Sequence, residues 1–240
     1  MTERLYLNDC YISNFSANIL EINSKGVVLD RSAFYPESGG QLGDRGILRW
    51  EKEKISVINT RLDQGKIIHV LNSSNKLKEG MKIKGKLDWI HRYEMMRAHT
   101  AQHCISRFFQ LKYNAETVSN QLKIGTNRID LAPLSKISSE ELKEISSQIN
   151  ILLSKNMPVS ISFLPRKEAI EFLKEKEYQT QYLDMVPKNV KNFRIITIDA
   201  YDWAACAGTH VQNTSEIGKI SLDKTEHKGK QKERVYYTLI

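Results

Sequence analysis

From Tyr6 to Leu87 apolar and polar residues alternate in short runs. The segments Tyr6–Ile12, Ser16–Ile22, Gly26–Asp30, Gly46–Trp50, Ile55–Thr60, Lys66–Val70 and Lys82–Leu87 are rich in β-branched and aromatic residues. They are punctuated by Asn23-Ser-Lys-Gly26, Asp63-Gln-Gly65 and Lys78-Glu-Gly80, which are turn formers. Strands this close together, with no helical period between them, predict a small antiparallel barrel or sandwich. At Asp88 the period changes. Trp89, Tyr93, Met96, Thr100, Cys104 and Phe108 recur at helical spacing in a stretch to Gln110 without Pro or Gly, and Asp88 is placed to cap it. Strand-like segments follow at 116–124 and 127–132. Ser138-Ser-Glu-Glu141 reads as a capping box opening a second helix to about Lys155. Val159–Leu164 reads as a strand, Pro165 as the first-turn proline of a third helix through Lys176, and 193–199, 217–223 and 233–240 as further strands. The expected fold is α+β: an N-terminal small antiparallel β-barrel, residues 1–88, followed by an α+β domain, residues 89–240, with helices packed on an antiparallel sheet.

Composition narrows the classes. Of the 240 residues 40% are hydrophobic, which supports a proper core and argues against a disordered chain. No run approaches the roughly 18 apolar residues of a membrane span, so no membrane association is expected. The charged, alternating N-terminus does not read as a signal peptide. Three scattered cysteines, Cys10, Cys104 and Cys206, favour a reducing cytoplasmic setting over a disulfide framework. The net charge is +8 and is spread, with 14 basic and 11 acidic side chains in residues 1–88 and 22 and 17 in the rest. The densest cluster runs from Lys224 to Arg234 with acids interleaved. Such a surface suits a phosphate backbone, and equally an ordinary lysine-rich soluble protein.

Three motifs carry chemistry. His99 and His103, at i and i+4 of the first predicted helix, lie one turn apart on one face and can converge on an ion. Taken alone, this spacing also fits ordinary half-buried histidines. About 100 residues later Cys206-Ala-Gly-Thr-His210 adds a thiolate and an imidazole. A His₃Cys set of borderline-soft donors suits Zn²⁺ better than Mg²⁺ or Ca²⁺. The third motif is the loop Ser32-Ala-Phe-Tyr-Pro-Glu-Ser-Gly39-Gly40-Gln41-Leu-Gly-Asp44-Arg-Gly46 between two β segments. Its paired glycines permit close backbone approach, and its side chains are more varied than a bare turn needs. His69, His91 and His227 have no such partners and read as structural or surface residues.

The ordered set Ala33-Phe-Tyr-Pro-Glu-Ser-Gly-Gly-Gln-Leu-Gly-Asp-Arg-Gly46, Arg97-Ala-His-Thr-Ala-Gln-His103 and Asp202-Trp-Ala-Ala-Cys-Ala-Gly-Thr-His-Val-Gln-Asn-Thr-Ser-Glu-Ile-Gly218 resembles the editing region of alanyl-tRNA synthetase. More closely, it resembles the free-standing alanyl-tRNA editing proteins of the AlaX family that keep the N-terminal β domain. The likeness spans nearly the whole chain. It implies a zinc ion on His99, His103, Cys206 and His210, tRNA for alanine as partner, and ATP-independent hydrolysis of a wrongly attached serine or glycine. It further implies catalytic roles for Ser32 and Gln41 and substrate contacts from Phe34, Gly39, Gly40 and Thr209. The family usually reads C-G-G-T-H, where Ala207 replaces the first glycine here, and Ser32 stands where a threonine is common. A separate hydrolytic site answers a physical need, because an apolar pocket separates amino acids differing by one small group only about 10–200-fold. The competing readings are a non-catalytic zinc-stabilised RNA-binding module, a release-factor-like use of Gly-Gly-Gln, and a generic zinc hydrolase. The last lacks an H-E-x-x-H general base.

Overall fold

The computed structural model describes residues 2–73 and 76–240. A short strand β1 (Glu3–Arg4) pairs in parallel with β4 (Arg31–Ser32). Between and after them come β2 (Asn14–Asn23), β3 (Gly26–Leu29), β5 (Gly46–Trp50), β6 (Glu53–Asp63), β7 (Lys66–Leu71) and β8 (Lys82–Leu87). Six of these close an antiparallel barrel in the order β2-β3-β7-β6-β5-β8. The period-two pattern decides which face turns inward: along β8 Lys82, Lys84 and Lys86 are exposed while Ile83, Gly85 and Leu87 are buried. The barrel core is Ala17, Ile19, Val27, Leu29, Leu48, Val57, Ile83 and Leu87 with their neighbours.

Tyr6–Ile12, expected as a strand, is instead a 3₁₀ turn at Leu5–Leu7 followed by a bend. Asn8-Asp9 accounts for the break, since the Asp9 carboxylate accepts the Tyr11 amide at 2.8 Å and closes an Asx turn. Tyr6 and Cys10 are buried all the same.

The remainder follows the expected order with shifted ends. Helix α1 (Trp89–Tyr113) starts at Asp88, whose carboxylate accepts the His91 amide at 3.2 Å, and ends on Asn114 with φ of 52°. Strands β9 (Glu116–Gln121) and β10 (Thr126–Ala132) lead to α2 (Ser139–Leu153). Ser138 caps α2 by accepting the Glu141 amide at 3.1 Å, while the Glu141 carboxylate takes the Tyr113 hydroxyl at 2.7 Å. Pro165 ends β11 (Val159–Pro165) and caps α3 (Arg166–Glu175) from just outside it. Then come β12 (Asn192–Ile198), β13 (Asp202–Ala205), β14 (Ile220–His227) and β15 (Glu233–Leu239). Strand β13 lay outside the sequence reading because Ala is a poor strand former; pairing with β12 holds it in place.

Two antiparallel sheets result, β14-β15-β10-β9 and β11-β12-β13. Helix α1 runs through the larger core, with Met95, Met96, Ile105 and Phe109 against Ile129, Val235 and Tyr237 and against Ile145 and Ile149 of α2. Ala169 and Leu173 of α3 pack on Phe193 and Ile195. The described residues contain no helix long and apolar enough to cross a membrane.

One buried group ties the long barrel loop to α1. Arg92 has no exposure; its guanidinium pairs with Asp44 and donates to the carbonyls of Cys10 at 2.7 Å and Ala33 at 2.5 Å. Asp44 in turn accepts the Tyr35 amide at 2.6 Å. An uncompensated charge here would be costly, so loop and helix are held as one piece.

Candidate metal centre

One face of a helix and one tight turn bring together four side chains that could hold a metal ion. His99 and His103 project from the same face of α1, and Cys206 and His210 flank the turn that follows β13. Arg194 shapes that turn by donating Nη1 to the carbonyls of Cys206 at 2.8 Å and Gly208 at 2.9 Å. Gly208 must lack a side chain, because a Cβ would lie 2.1 Å from Cε1 of His99. One ligand atom from each of the four residues falls within 4.8 Å of the others.

The partners of the ring nitrogens determine which nitrogen is free. His99 Nδ1 meets Gln41 Oε1 at 2.8 Å and His103 Nδ1 meets Asp202 Oδ2 at 2.9 Å, both oxygens being acceptors. His210 Nδ1 meets Thr100 Oγ1 at 3.2 Å, a hydroxyl already donating to the Met96 carbonyl. Each imidazole therefore bears a proton on Nδ1, and Nε2 is the nitrogen turned to the centre. The Cys206 sulfur lies 3.5 Å from His99 Nε2 and 3.4 Å from His210 Nε2. A tetrahedron with Zn–N near 2.0 Å and Zn–S near 2.3 Å has N···S edges of about 3.5 Å. The residues fit a tetrahedral ion of that size.

Electrostatics point the same way. Burial alone would push the Cys206 thiol up, but the His99 charge and the surrounding imidazole hydrogen bonds bring it well below its ordinary value. Burial and the His99 charge hold His210 down. At His103 burial is outweighed by Asp202 and Cys206, which raise it to about 10 in the metal-free protein. A readily ionised thiol among imidazoles is the donor chemistry a divalent ion needs.

Beside the cluster opens a pocket of about 770 Å³, lined by His99, His103 and Cys206 on one side and by Tyr35, Ser38 and Gly39 of the barrel loop on another. Asn120 of β9 and Tyr178 add to its walls. This volume lies in the range of small-molecule sites.

The expected site residues divide into groups. Gln41 is fully buried and touches the His/Cys cluster: besides His99, its Oε1 accepts the Thr209 amide at 3.1 Å and its Nε2 donates to Thr209 Oγ1 at 2.9 Å. Thr209 is thereby occupied too. Gly39, at φ of 57°, lines the pocket. Gly40 faces Asn120 instead, where a Cβ would come within 1.6 Å of Oδ1, and its carbonyl accepts the Leu122 amide at 2.7 Å. Ser32 and Phe34 sit in the barrel interior with no exposure. The Ser32 hydroxyl meets His69 Nε2 at 2.8 Å and accepts the Phe34 amide at 3.1 Å, while His69 Nδ1 donates to the Val27 carbonyl. Ser32, expected beside substrate, spends its hydrogen bonds inside the barrel.

Residues outside the sequence reading complete the shell. Asp202 orients His103 and also accepts the Tyr178 hydroxyl at 2.5 Å. A carboxylate four residues before a ligating cysteine was the available signal, since ligating histidines commonly donate to one. Thr100 sat on the apolar helical period and gave no hint of its contact with His210.

Residues 7–91 match the family described as "tRNA synthetases class II (A)", and residues 193–236 match "Threonyl and Alanyl tRNA synthetase second additional domain". The chain is 38% identical to the alanyl-tRNA editing protein AlaX-M of Methanosarcina barkeri, over the full length of both, and 36% identical to that of Saccharolobus solfataricus, over all of this chain and 99% of the other. It is 34% identical to the alanine–tRNA ligase of Thermococcus kodakarensis over 98% of this chain and 25% of the ligase.

Proposed function

The chain belongs to the alanyl-tRNA editing proteins of the AlaX-M type, and from that premise we propose that it is a zinc-dependent deacylase that hydrolyses seryl and glycyl esters of the tRNA for alanine. The observation that carries this reading is the convergence of three imidazoles and one thiol beside a pocket that Ser38 and Gly39 of the barrel loop also line. His99, His103, Cys206 and His210 hold the ion. Bound Zn²⁺ supplies Lewis acidity toward an ester carbonyl or a water.

The chain's own residues do the rest. Gln41 and Asp202 fix the rings of His99 and His103, so the donor atoms need no reorganisation when substrate arrives. Gly39 keeps the loop wall thin where the terminal adenosine approaches. Ser32 and Phe34 act at one remove, by locking the start of the loop to His69. The ester is already reactive, and holding it in place provides much of the rate. Ser38, Thr117 and Asn120 line the pocket; the Ser38 and Thr117 hydroxyls bond to Tyr35 and Ser106, and Asn120 Oδ1, buried against Gly40, has no partner among the described residues. A pocket that hydrogen-bonds a serine hydroxyl rejects an alanine methyl, which leaves the partner group unpaired, by about 10⁴ or more. The break at Asp88 is taken as the domain boundary, and the reaction needs neither ATP nor a membrane.

The test is the lifetime of the ester in seryl-tRNA(Ala) with metal-loaded protein, with chelator-treated protein and after zinc is restored. Hydrolysis should be fast, lost and regained in that order. An ester lifetime unchanged by the metal-loaded protein sinks the reading, and tight RNA binding without turnover assigns a binding module instead.

A further inference from the structure

The run from Lys224 to Arg234 holds the densest positive charge in the sequence, and the fold pairs three of its five cations with acids. Lys224 and Lys228 both pair with Glu226, at 3.1 and 2.9 Å, and Arg234 pairs with Asp130 at 2.7 Å. The opposite holds on the barrel. Register sets Ser16, Lys84, Arg49 and Lys54 side by side across β2, β8, β5 and β6. Along β8 the outward row is Lys82, Lys84 and Lys86, about 6.7 Å apart. Lys82, Lys84, Lys86, Arg49 and Lys54 are all exposed, and among the described residues none has an acidic partner within ion-pair distance.

Like charges directly opposite one another in a sheet are destabilising. Lys84 beside Arg49 beside Lys54 is thus an arrangement that folding alone does not favour. The flanking outward row of β2 offers only Asn14, Ser16 and Asn18, neutral hydrogen-bonding groups. A groove of about 710 Å³ runs over this face, with Arg49, Lys82 and Lys84 on its walls and Trp50 among them. Its two acids do not cancel the charge: Asp30 is engaged by the backbone and side-chain nitrogens of Asn18, and Glu51 lies at the β5–β6 turn. Of the groove's cations, only Arg31 is paired, with Glu3 at 3.1 Å. Strand β8 leads through Asp88 straight into α1, so Lys86 lies within about 25 Å of His99 by strand and helix rise, and Lys82 within about 40 Å. That span corresponds to roughly a dozen base pairs of a duplex.

We infer that the outward face of β8 and β5, centred on Lys82, Lys84, Lys86, Arg49 and Lys54, is a phosphate-backbone track for the stem of the RNA whose 3′ end enters the metal pocket. The inference rests on the proposed deacylase reading for its choice of RNA. Cations in a row at strand spacing, flanked by neutral hydrogen-bonding groups and without ion-pair partners among the described residues, match a polyanion read by charge rather than by sequence.

The experiment compares the full chain with a Lys82→Gln/Lys84→Gln/Lys86→Gln variant and with a Lys230→Gln/Lys232→Gln control in the β14–β15 hairpin. Binding of uncharged tRNA for alanine is titrated from 50 to 200 mM salt. Three lost phosphate contacts lower the salt slope by about 2 to 3, so the gap to wild type widens about 16- to 64-fold from 200 down to 50 mM. KM for seryl-tRNA should rise by a similar factor at low salt. Hydrolysis of the small ester 3′-O-seryl-adenosine, which cannot reach the barrel, should match wild type. An unchanged slope in the β8 variant, or a loss confined to the hairpin control, overturns the inference. So does equal wild-type affinity for polyglutamate, which would mark an acidic-protein surface. If wild type hydrolyses neither ester, the deacylase reading fails, while the salt slopes still judge the track.

Discussion

Replacing Gln41 with Ala separates a residue that works through the metal from one that works on the substrate. The carboxamide makes three contacts, accepting from His99 Nδ1 at 2.8 Å and the Thr209 amide at 3.1 Å and donating to Thr209 Oγ1 at 2.9 Å. Gln41 and Thr209 have no exposure and His99 has 4%, so the two orphaned N–H groups cannot simply turn to bulk water. Each buried donor left unpaired costs about 1–3 kcal/mol, less if a water enters the vacated space. At the ion, loss of the group that orients a ligating histidine lowers affinity about 10- to 100-fold, or roughly 1.4–2.7 kcal/mol. The assay is competition for zinc against a chromophoric chelator, alongside thermal melts of the metal-free protein. Gln41→Ala should weaken zinc by at least tenfold and lower the melting point. Gln41→Glu can still accept from His99 Nδ1 and the Thr209 amide and should fall between Ala and wild type. Zinc affinity within twofold of wild type, with activity lost, would refute the assignment and return Gln41 to the substrate.

Asp202→Asn should weaken zinc by a similar factor, because the amide accepts from His103 without the charge that supports it; chelator competition reads this directly. In Gly208→Ala the new methyl would sit 2.1 Å from His99 Cε1, so the ring or the turn must move by about 1 Å; hydrolysis should drop about 10²-fold and zinc content after gel filtration should fall. His69 is buried, and burial pushes its imidazole down to about 4, against the Val27 carbonyl that favours the charged form. The unfolded chain takes up that proton near 6.5, so stability is lost as pH falls from about 6.5 to about 4, about 3 kcal/mol in all and about 2 kcal/mol by pH 5. Unfolding free energies from urea titrations at pH 7 and pH 5 should differ by that much more in wild type than in His69→Gln.

What was legible in the sequence was what local chemistry dictates. Period-two alternation marked the strands of the barrel, and i, i+4 spacing put His99 and His103 on one helical face. Asn8-Asp9 turned Tyr6–Ile12 away from a strand, a side-chain-to-backbone bond that hydrophobic pattern does not register. The metal shell was half visible. Its ligands stood out by residue type, whereas Thr100 and Gly208 take their roles from neighbours about 110 positions away. Ser32 illustrates the converse, for a hydroxyl in a varied loop drew attention while its partner, His69, lay on a strand with nothing to connect the two. Arg49, Lys54 and Lys84 are unremarkable in sequence because adjacency across a barrel follows from register.

Tyr178 has a double allegiance: its ring forms part of the pocket wall and its hydroxyl holds the carboxylate that steers His103. Recontouring the cavity at this position to admit a different amino acid would therefore also detune the ion's ligand field. Cavity shape and catalytic competence cannot be adjusted independently there, so an engineer wishing to widen substrate range must begin at Ser38 or Thr117, whose side chains make no bond to a ligand or its orienting group.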